Sequence, residues 1–441
     1  MHNPIEYEAP AEPQKVAAQH PSKGKNRWCQ LAILGAALSL DNNEASALVS
    51  LFPAIQASLS LSLTNLGLLT AGGRLAGAVV SPLWVWLARR WSRKAVLAIC
   101  VGAWGGCGIA AGFAVDLPTL LVCYAAVAIG AAGAHPIVLS LVSDLFDDAT
   151  RGRAVGYLFG AMSLTASLVG PLLGQLSGIH DGWRVGFWLV GAMNVLAGLM
   201  ILFWLEDPGV GASEAGMGRR IGAGANQISV LSIFRVPTFN LMLLARVLSG
   251  PIVILTFGVV YLTREYGFSN RLAAISLAPL GIGYFLGTLC GGVLYDRMHK
   301  ANPNTGRVLF LQMTQLFFAV VAYLATQHVW PSFTIICVFW FFLGLTLGAI
   351  PGANRPIVMA VIHPELRGWA FVVMFALVES LVAAVYNTAA GWLSDRFGLK
   401  VVFLVALVGL SSLNALLMTL LYRSYPRDVA RMQKQLDAST P

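Results

Sequence analysis

The chain has 441 residues, 57% of them hydrophobic and only 11% charged, with a mean hydropathy of +0.71. A water-soluble domain carries roughly 25% charged residues, so the composition excludes an ordinary soluble enzyme and describes a polytopic membrane protein. The formal net charge of +9 does not point to nucleic acid, because the basic residues track the loops on one side of the membrane.

Residues 1–27 are polar, contain proline and hold Lys15, Lys23, Lys25 and Arg27. No A-x-A-like site follows a short apolar core, so the stretch reads as a disordered cytoplasmic tail rather than a cleavable signal. Twelve apolar spans follow, at approximately 28–58, 63–88, 95–115, 118–146, 154–179, 184–205, 238–262, 272–295, 306–327, 331–362, 367–394 and 400–422. The first of them is interrupted by Asp41, Asn42, Asn43 and Glu44. Asp41 falls near mid-membrane, and the i, i+3 spacing puts both carboxyls on one helix face. A carboxyl at that depth costs at least ~2.5–3.5 kcal/mol unless it is paired or faces water. Arg74, His135, Arg246, Arg355 and Glu379 interrupt other spans in the same way. Those intramembrane charges are the functional clue.

With the amino terminus inside, the outer loops hold Arg184, Arg264, Arg271, Arg396 and Lys400. Apart from Arg74, Arg246 and Arg355, all other lysines and arginines lie inside. This bias places both termini in the cytoplasm. Residues 206–235 form a polar, Gly-rich central loop between a 28–205 bundle and a 236–422 bundle, and 423–441 form a second cytoplasmic tail. The two bundles repeat one another. His135-Pro136-Ile137-Val138 before Arg151-Gly152 answers to Arg355-Pro356-Ile357-Val358 before Arg367-Gly368. GPLLGQLSGIHDGWRVGFWLVG after the fifth span answers to TAAGWLSDRFGLKVVFLVALVG after the eleventh. Parallel six-helix repeats place a substrate site between the halves near the bilayer midplane.

On these features the chain resembles the major facilitator superfamily over nearly its whole length beyond the tail. The family signature between the second and third spans, roughly G-x-L-A-D-R-x-G-R-[RK], stands here as Val85-Trp86-Leu87-Ala88-Arg89-Arg90-Trp91-Ser92-Arg93-Lys94. The basic end is kept, but Arg89 replaces the aspartate and both glycines are gone. A second copy, Gly292-Val293-Leu294-Tyr295-Asp296-Arg297, keeps its acid. In the family that acid helps latch the outward-open state. The resemblance therefore implies gating roles for Arg89, Arg90, Arg93, Asp296 and Arg297, with the latch weakened in the first half. Gly170-Pro171-Leu172-Leu173-Gly174 is similar to the core of the family's antiporter signature, and close helix packing explains it equally well. The first span, with Tyr261-Leu262 before EYGFS and the Asp144-Leu145-Phe146 ending of the fourth, looks most like spinster-type transporters and related organic-anion symporters. Those usually show Asp-Arg where this chain has Asp41-Asn42.

For Asp41 and Glu44 the functional reading is proton binding, since desolvation opposes the charged form of a carboxyl. The structural reading is a permanent ion pair with Arg74. Glu379 is either a further proton site, a counter-ion of Arg355 or a hydrogen-bond partner of a neighbouring helix. Arg74, Arg246, Arg355, His135 and Asn354 are the candidate substrate-binding residues, because a forked guanidinium suits a carboxylate or phosphate. The alternative for the arginines is neutralisation by the buried acids. The six cysteines show no metal-ligand spacing, and no Walker loop, His/Cys cluster or GxSxG is present, so no cofactor or metal is expected.

The expectation is an all-α protein of twelve transmembrane helices in two six-helix pseudo-repeats. It acts as a monomeric, proton-coupled secondary transporter in a plasma membrane, and its solute is small, organic and anionic or amphiphilic. Its partners are that solute, protons and the lipid bilayer. Proton-antiport efflux of hydrophobic drugs or lysolipids is the alternative within transport. A membrane hydrolase, or a receptor on a transporter scaffold, is the alternative outside it.

Overall fold

The computed structural model describes residues 27–146, 148–208, 230–363 and 366–439, and among them the backbone is helical with short connections. The long helices are α1 (Arg27–Leu59), α2 (Leu63–Arg90), α3 (Arg93–Ala111), α4 (Leu117–Leu145), α5 (Asp148–Gln175) and α6 (Gly182–Trp204). After the central loop come α7 (Pro237–Glu265), α8 (Asn270–Ala301), α9 (Gly306–Gln327), α10 (Phe333–Val361), α11 (Trp369–Phe397) and α12 (Leu399–Gln435). Eleven helices are long and apolar enough to cross a membrane. The exception is α1, which is long enough at 33 residues but is diluted by its Asp-Asn-Asn-Glu centre. All twelve expected spans are therefore helical.

Short capping elements start these helices. Ser62 Oγ accepts from the Asn65 amide at 3.2 Å, and Asp116 Oδ1 accepts from the Thr119 amide at 2.9 Å, satisfying donors that the first turn leaves open. Gly398, at φ +82°, makes the tight joint between α11 and α12, in a region that favours glycine. Three helices are irregular at points that matter below. α7 breaks over Leu248–Pro251, and wide π turns occupy Ile99–Ala103 in α3 and Val372–Val378 in α11.

Exposed Arg90, Arg297, Arg423 and Arg427 gather at one end of the molecule, which the positive-inside rule makes the inner face. The last helical segment, Leu421–Ser439, which continues from α12, lies against the inner ends of α7 and α10. Tyr425 is buried there and accepts from Arg307 Nη1 at 3.0 Å, while the Thr238 amide donates to Asp428 at 2.9 Å.

The apolar packing shows how the two halves meet. Towards the outer face one continuous buried cluster runs through both, from Leu51, Phe52 and Leu66 to Phe257, Trp340 and Phe403. Towards the inner face there are two separate clusters, one around Leu97, Ile137 and Leu141 and one around Phe239, Ile357 and Val358. The halves are fused outside and parted inside. The seam itself is drawn tight by glycine. A Cβ on Gly67 of α2 would stand 2.2 Å from the Asn387 carbonyl oxygen of α11, and one on Gly174 of α5 would stand 2.1 Å from the Ala274 Cβ of α8.

Candidate functional site

Arg74 lies two turns inward of Gly67 on α2, on the face that meets α11 at the seam. Its side chain is exposed. Arg355 of α10 is exposed as well, two turns inward of Gly348, where a Cβ would stand 2.0 Å from the Tyr284 carbonyl oxygen of α8. Arg74 thus lies between Leu69 of the outer cluster and Trp84 of an inner one, and Arg355 lies on the other half between Ala353 and Ile357 of the second inner cluster. His135 of α4 is half-buried, its ring 6.4 Å from that of Phe159 on α5.

The carboxyls of α1 occupy a different place. Asp41 is 7% and Glu44 5% exposed, and they turn into their own bundle. Asn194 Nδ2 of α6 donates to Glu44 Oε1 at 2.7 Å, and a Cβ on Gly108 of α3 would stand 2.9 Å from the same oxygen. Asp41 lies within electrostatic reach of the Cys100 thiol, in the π turn of α3. Among the described residues Arg74 forms no ion pair with either acid, so a permanent pair with Arg74 is not what holds them. Tyr124 of α4 connects the two places instead. Its ring packs against Gly73, and it lies within electrostatic reach of both Arg74 and Glu44.

In the other half, Glu379 pairs with Arg246, a partner that none of the three sequence readings of Glu379 named. Arg246 belongs to the α7 segment just before the break, and Glu379 directly follows the π turn of α11. Both irregularities rotate side chains away from their regular-helix positions. Arg246, expected to bind substrate, is therefore already engaged by an acid. Asn354 is buried beside it in a small polar pocket with Ser249, Gln315 and Asn414. Asn414 Nδ2 donates to the Ala245 carbonyl oxygen at 3.0 Å. Tyr284 stands within electrostatic reach of Arg355, Glu379 and Arg246. Reading the sequence missed Tyr124, Tyr284, Asn194, Gln315 and Asn414. The two asparagines belong to the last membrane helix of each half, α6 and α12, and both are buried.

Of the residues assigned to gating, Arg93 is buried and binds Asp144 at the end of α4 and Asp207 beyond α6. It also donates to Ser140 Oγ at 3.3 Å. That is a tie within one half rather than a contact between halves. Arg90 and Arg297 are exposed, and the side chains of Arg89 and Asp296 lie outside the described set. Among the described residues no cluster of His, Cys, Asp or Glu could hold a metal ion.

A second cavity, of about 540 Å³, lies between α1 and α5 and is lined by Trp28, Leu31, Leu40, Tyr157, Leu158 and Thr165. It is largely apolar.

Comparison with known proteins fits this geometry. The profile of the Major Facilitator Superfamily matches residues 33–386. The chain is 26% identical to the 3-(3-hydroxy-phenyl)propionate transporter of Escherichia coli over 235 residues, which is about half of each protein, 53% and 55%. It is 26% identical to an MFS-type efflux pump of Mycolicibacterium smegmatis over 391 residues, covering 84% of this chain and 85% of that one. Among solved structures, a bacterial homologue of the human lysosomal transporter Spinster superposes with a TM-score of 0.73 at 22% identity. That match covers 92% of this chain and 98% of the other.

Proposed function

The chain belongs to the Major Facilitator Superfamily, and from that premise we propose that it is a secondary transporter of small organic anions working by alternating access. The observation that carries this reading is the pair of exposed guanidiniums, Arg74 and Arg355, on opposite halves. Two forked donors on separate rigid bodies can both engage one carboxylate-bearing solute. Its binding energy then favours drawing the halves together on the inner side and parting them outside. A relative named for a phenylpropionate supports the anionic preference.

Protons couple to this cycle through Glu44 and Asp41. Both acids are buried without a guanidinium partner, and burial opposes their charged forms. Tyr124 places the charge state of Glu44 next to Arg74. An anion drawn onto Arg74 thereby becomes sensitive to the proton held behind it. Arg246 and Glu379 keep the opposite half electrically neutral, with Asn354 beside them. The protein acts in a plasma membrane with both termini in the cytoplasm, and its two moving bodies are residues 28–205 and 236–422.

The test is uptake into proteoliposomes of a panel of organic carboxylates, with and without an inward proton gradient. Wild type should accumulate at least one of them. Arg74→Gln and Arg355→Gln should each lower uptake by about tenfold or more, the loss of one charged contact worth ~1.5–3 kcal/mol. Asp41→Asn or Glu44→Gln should retain counterflow but lose gradient-driven accumulation. Transport restricted to neutral hydrophobic compounds would sink the anion reading. It would favour efflux through the apolar cavity between α1 and α5, as the efflux-pump relative suggests.

A further inference from the structure

The outer seam is closed by two polar contacts that differ between the repeats. On one side Asp395, near the outer end of α11, caps the first turn of α2. Leu63 N donates to Oδ1 at 3.0 Å, Thr64 N donates to Oδ2 at 2.8 Å, and Thr64 Oγ1 donates to Oδ2 at 2.6 Å. On the other side Arg271, in the first turn of α8, reaches the end of α5. Arg271 Nε donates to the Gln175 carbonyl oxygen at 3.1 Å, and Gln175 Nε2 donates back to the Arg271 carbonyl oxygen at 3.3 Å. In the repeat, Gly178 stands where α11 has Asp395, and Arg271 stands where α2 has Thr64. The space a side chain at 178 would take is filled by the Arg271 guanidinium. Each contact matches the helix end it touches, a carboxylate on an amino terminus and a cation on a carboxyl terminus.

The segment around Asp395 carries a second message. Gly391-Trp392-Leu393-Ser394-Asp395-Arg396-Phe397-Gly398-Leu399-Lys400 keeps the glycines, the leucine, the Asp-Arg pair and the final base of the signature that the α2–α3 connection has lost. It differs from it only at Ser394 and Leu399, besides its free positions. Arg89 replaces the acid at the inner face, and Asp395 provides one at the outer face. We infer that Asp395 and Arg271 are the outer latches of the transport cycle, setting its resting state open to the inside. Substrate binding must break both. This rests on the alternating-access reading given above and adds to it which contacts set the equilibrium.

The test is a distance measurement between spin labels on the full chain in nanodiscs, with the native cysteines replaced. One pair, Val115 and Val329, is exposed in outer loops of opposite halves. A second pair, Trp91 and Asn302, is exposed at the inner face. Wild type should show one dominant population, short outside and long inside. Asp395→Ala should raise the outward-open population about tenfold, the scale set by losing three bonds to one carboxylate. Thr64→Val, which removes one of those bonds, should give a smaller shift in the same direction. Arg271→Gln should act independently, and the double variant should shift the populations further than either. Unchanged distributions in Asp395→Ala and Arg271→Gln, with transport intact, overturn the latches while leaving the transporter reading in place. Shifted distributions in a protein that moves no solute support the latches and sink the transporter reading.

Discussion

The two halves share a framework but carry opposite electrostatics. Each half buries an asparagine on its last membrane helix, yet Asn194 supports a buried acid and Asn414 a backbone carbonyl beside an arginine. In the first half the central charges, Asp41 and Glu44, have no guanidinium partner among the described residues. In the second, Arg246 is neutralised by Glu379. The inner ends invert this pattern. Arg93 at the start of α3 is held by two aspartates, while Arg307 at the start of α9 meets the hydroxyl of Tyr425 and, 5.5 Å away, the ring of Tyr295. The first half is thus tied by ions at its base and left uncompensated at its centre. The second is compensated at its centre and held by aromatics at its base. Duplication supplied the helices, and charge placement then divided the labour.

The largest effect that tests this contrast is at the bases. Arg93→Ala takes the guanidinium from Asp144 and Asp207, and breaking a buried pair costs about 3–5 kcal/mol. Its thermal midpoint in micelles should fall well below that of Arg307→Ala, which loses one neutral hydrogen bond and a cation–π contact worth about 1–2 kcal/mol together. Equal losses would show that the ionic tie has no special weight.

Next is the centre of the second half. Glu379→Gln takes the carboxylate charge from beside Arg246, but the Glu379 side chain is 35% exposed, so solvent screening should hold the cost to about 2–3 kcal/mol. The double variant Arg246→Met/Glu379→Leu should recover most of that loss in the same melt. In the first half the matching change runs the other way. Glu44→Gln neutralises an unpaired buried acid and should leave the midpoint unchanged or raise it, although transport suffers. A clear fall in stability for Glu44→Gln would mean that its charge is compensated after all.

The smallest contrast is between the asparagines. Asn194→Leu removes the donor to Glu44, a charge-assisted bond worth about 1.5–3 kcal/mol if the acid is ionised. Asn414→Leu removes a neutral bond of about 1 kcal/mol. The gap between the two should narrow as the pH of the melt is lowered and Glu44 is neutralised, and a gap that does not respond to pH would show that Glu44 is already protonated.

Much of this fold could be read from the residues. Hydropathy located all twelve helices, and the tandem motifs identified the repeat. The i, i+3 spacing put Asp41 and Glu44 on one face. What that spacing could not show was which neighbour the face meets, because α3, α6 and the cavity are all compatible with a polar stripe. The partner of Glu379 was hidden for a sharper reason. A π turn inserts a residue and rotates everything beyond it by about 100° relative to a regular helix. Hydrophobic periodicity cannot register a single such turn, nor the break at Leu248–Pro251 that sets Arg246. Arg93 looked like a gate because its neighbours in sequence resemble one, yet Asp144 and Asp207 come from distant segments.

The terminal helix past Leu421 has a mechanical consequence. Tyr425, Asp428 and Tyr422 pin it to the base of the second half, the last by donating to Gln312 Oε1 at 2.9 Å. In the proposed rocking cycle the exposed residues 433–435 beyond Met432 would travel with that half as an outrigger. Each stroke, otherwise enclosed by lipid, would be carried out into the aqueous phase there. A dye there reports the stroke, and a bulky load there adds drag to it.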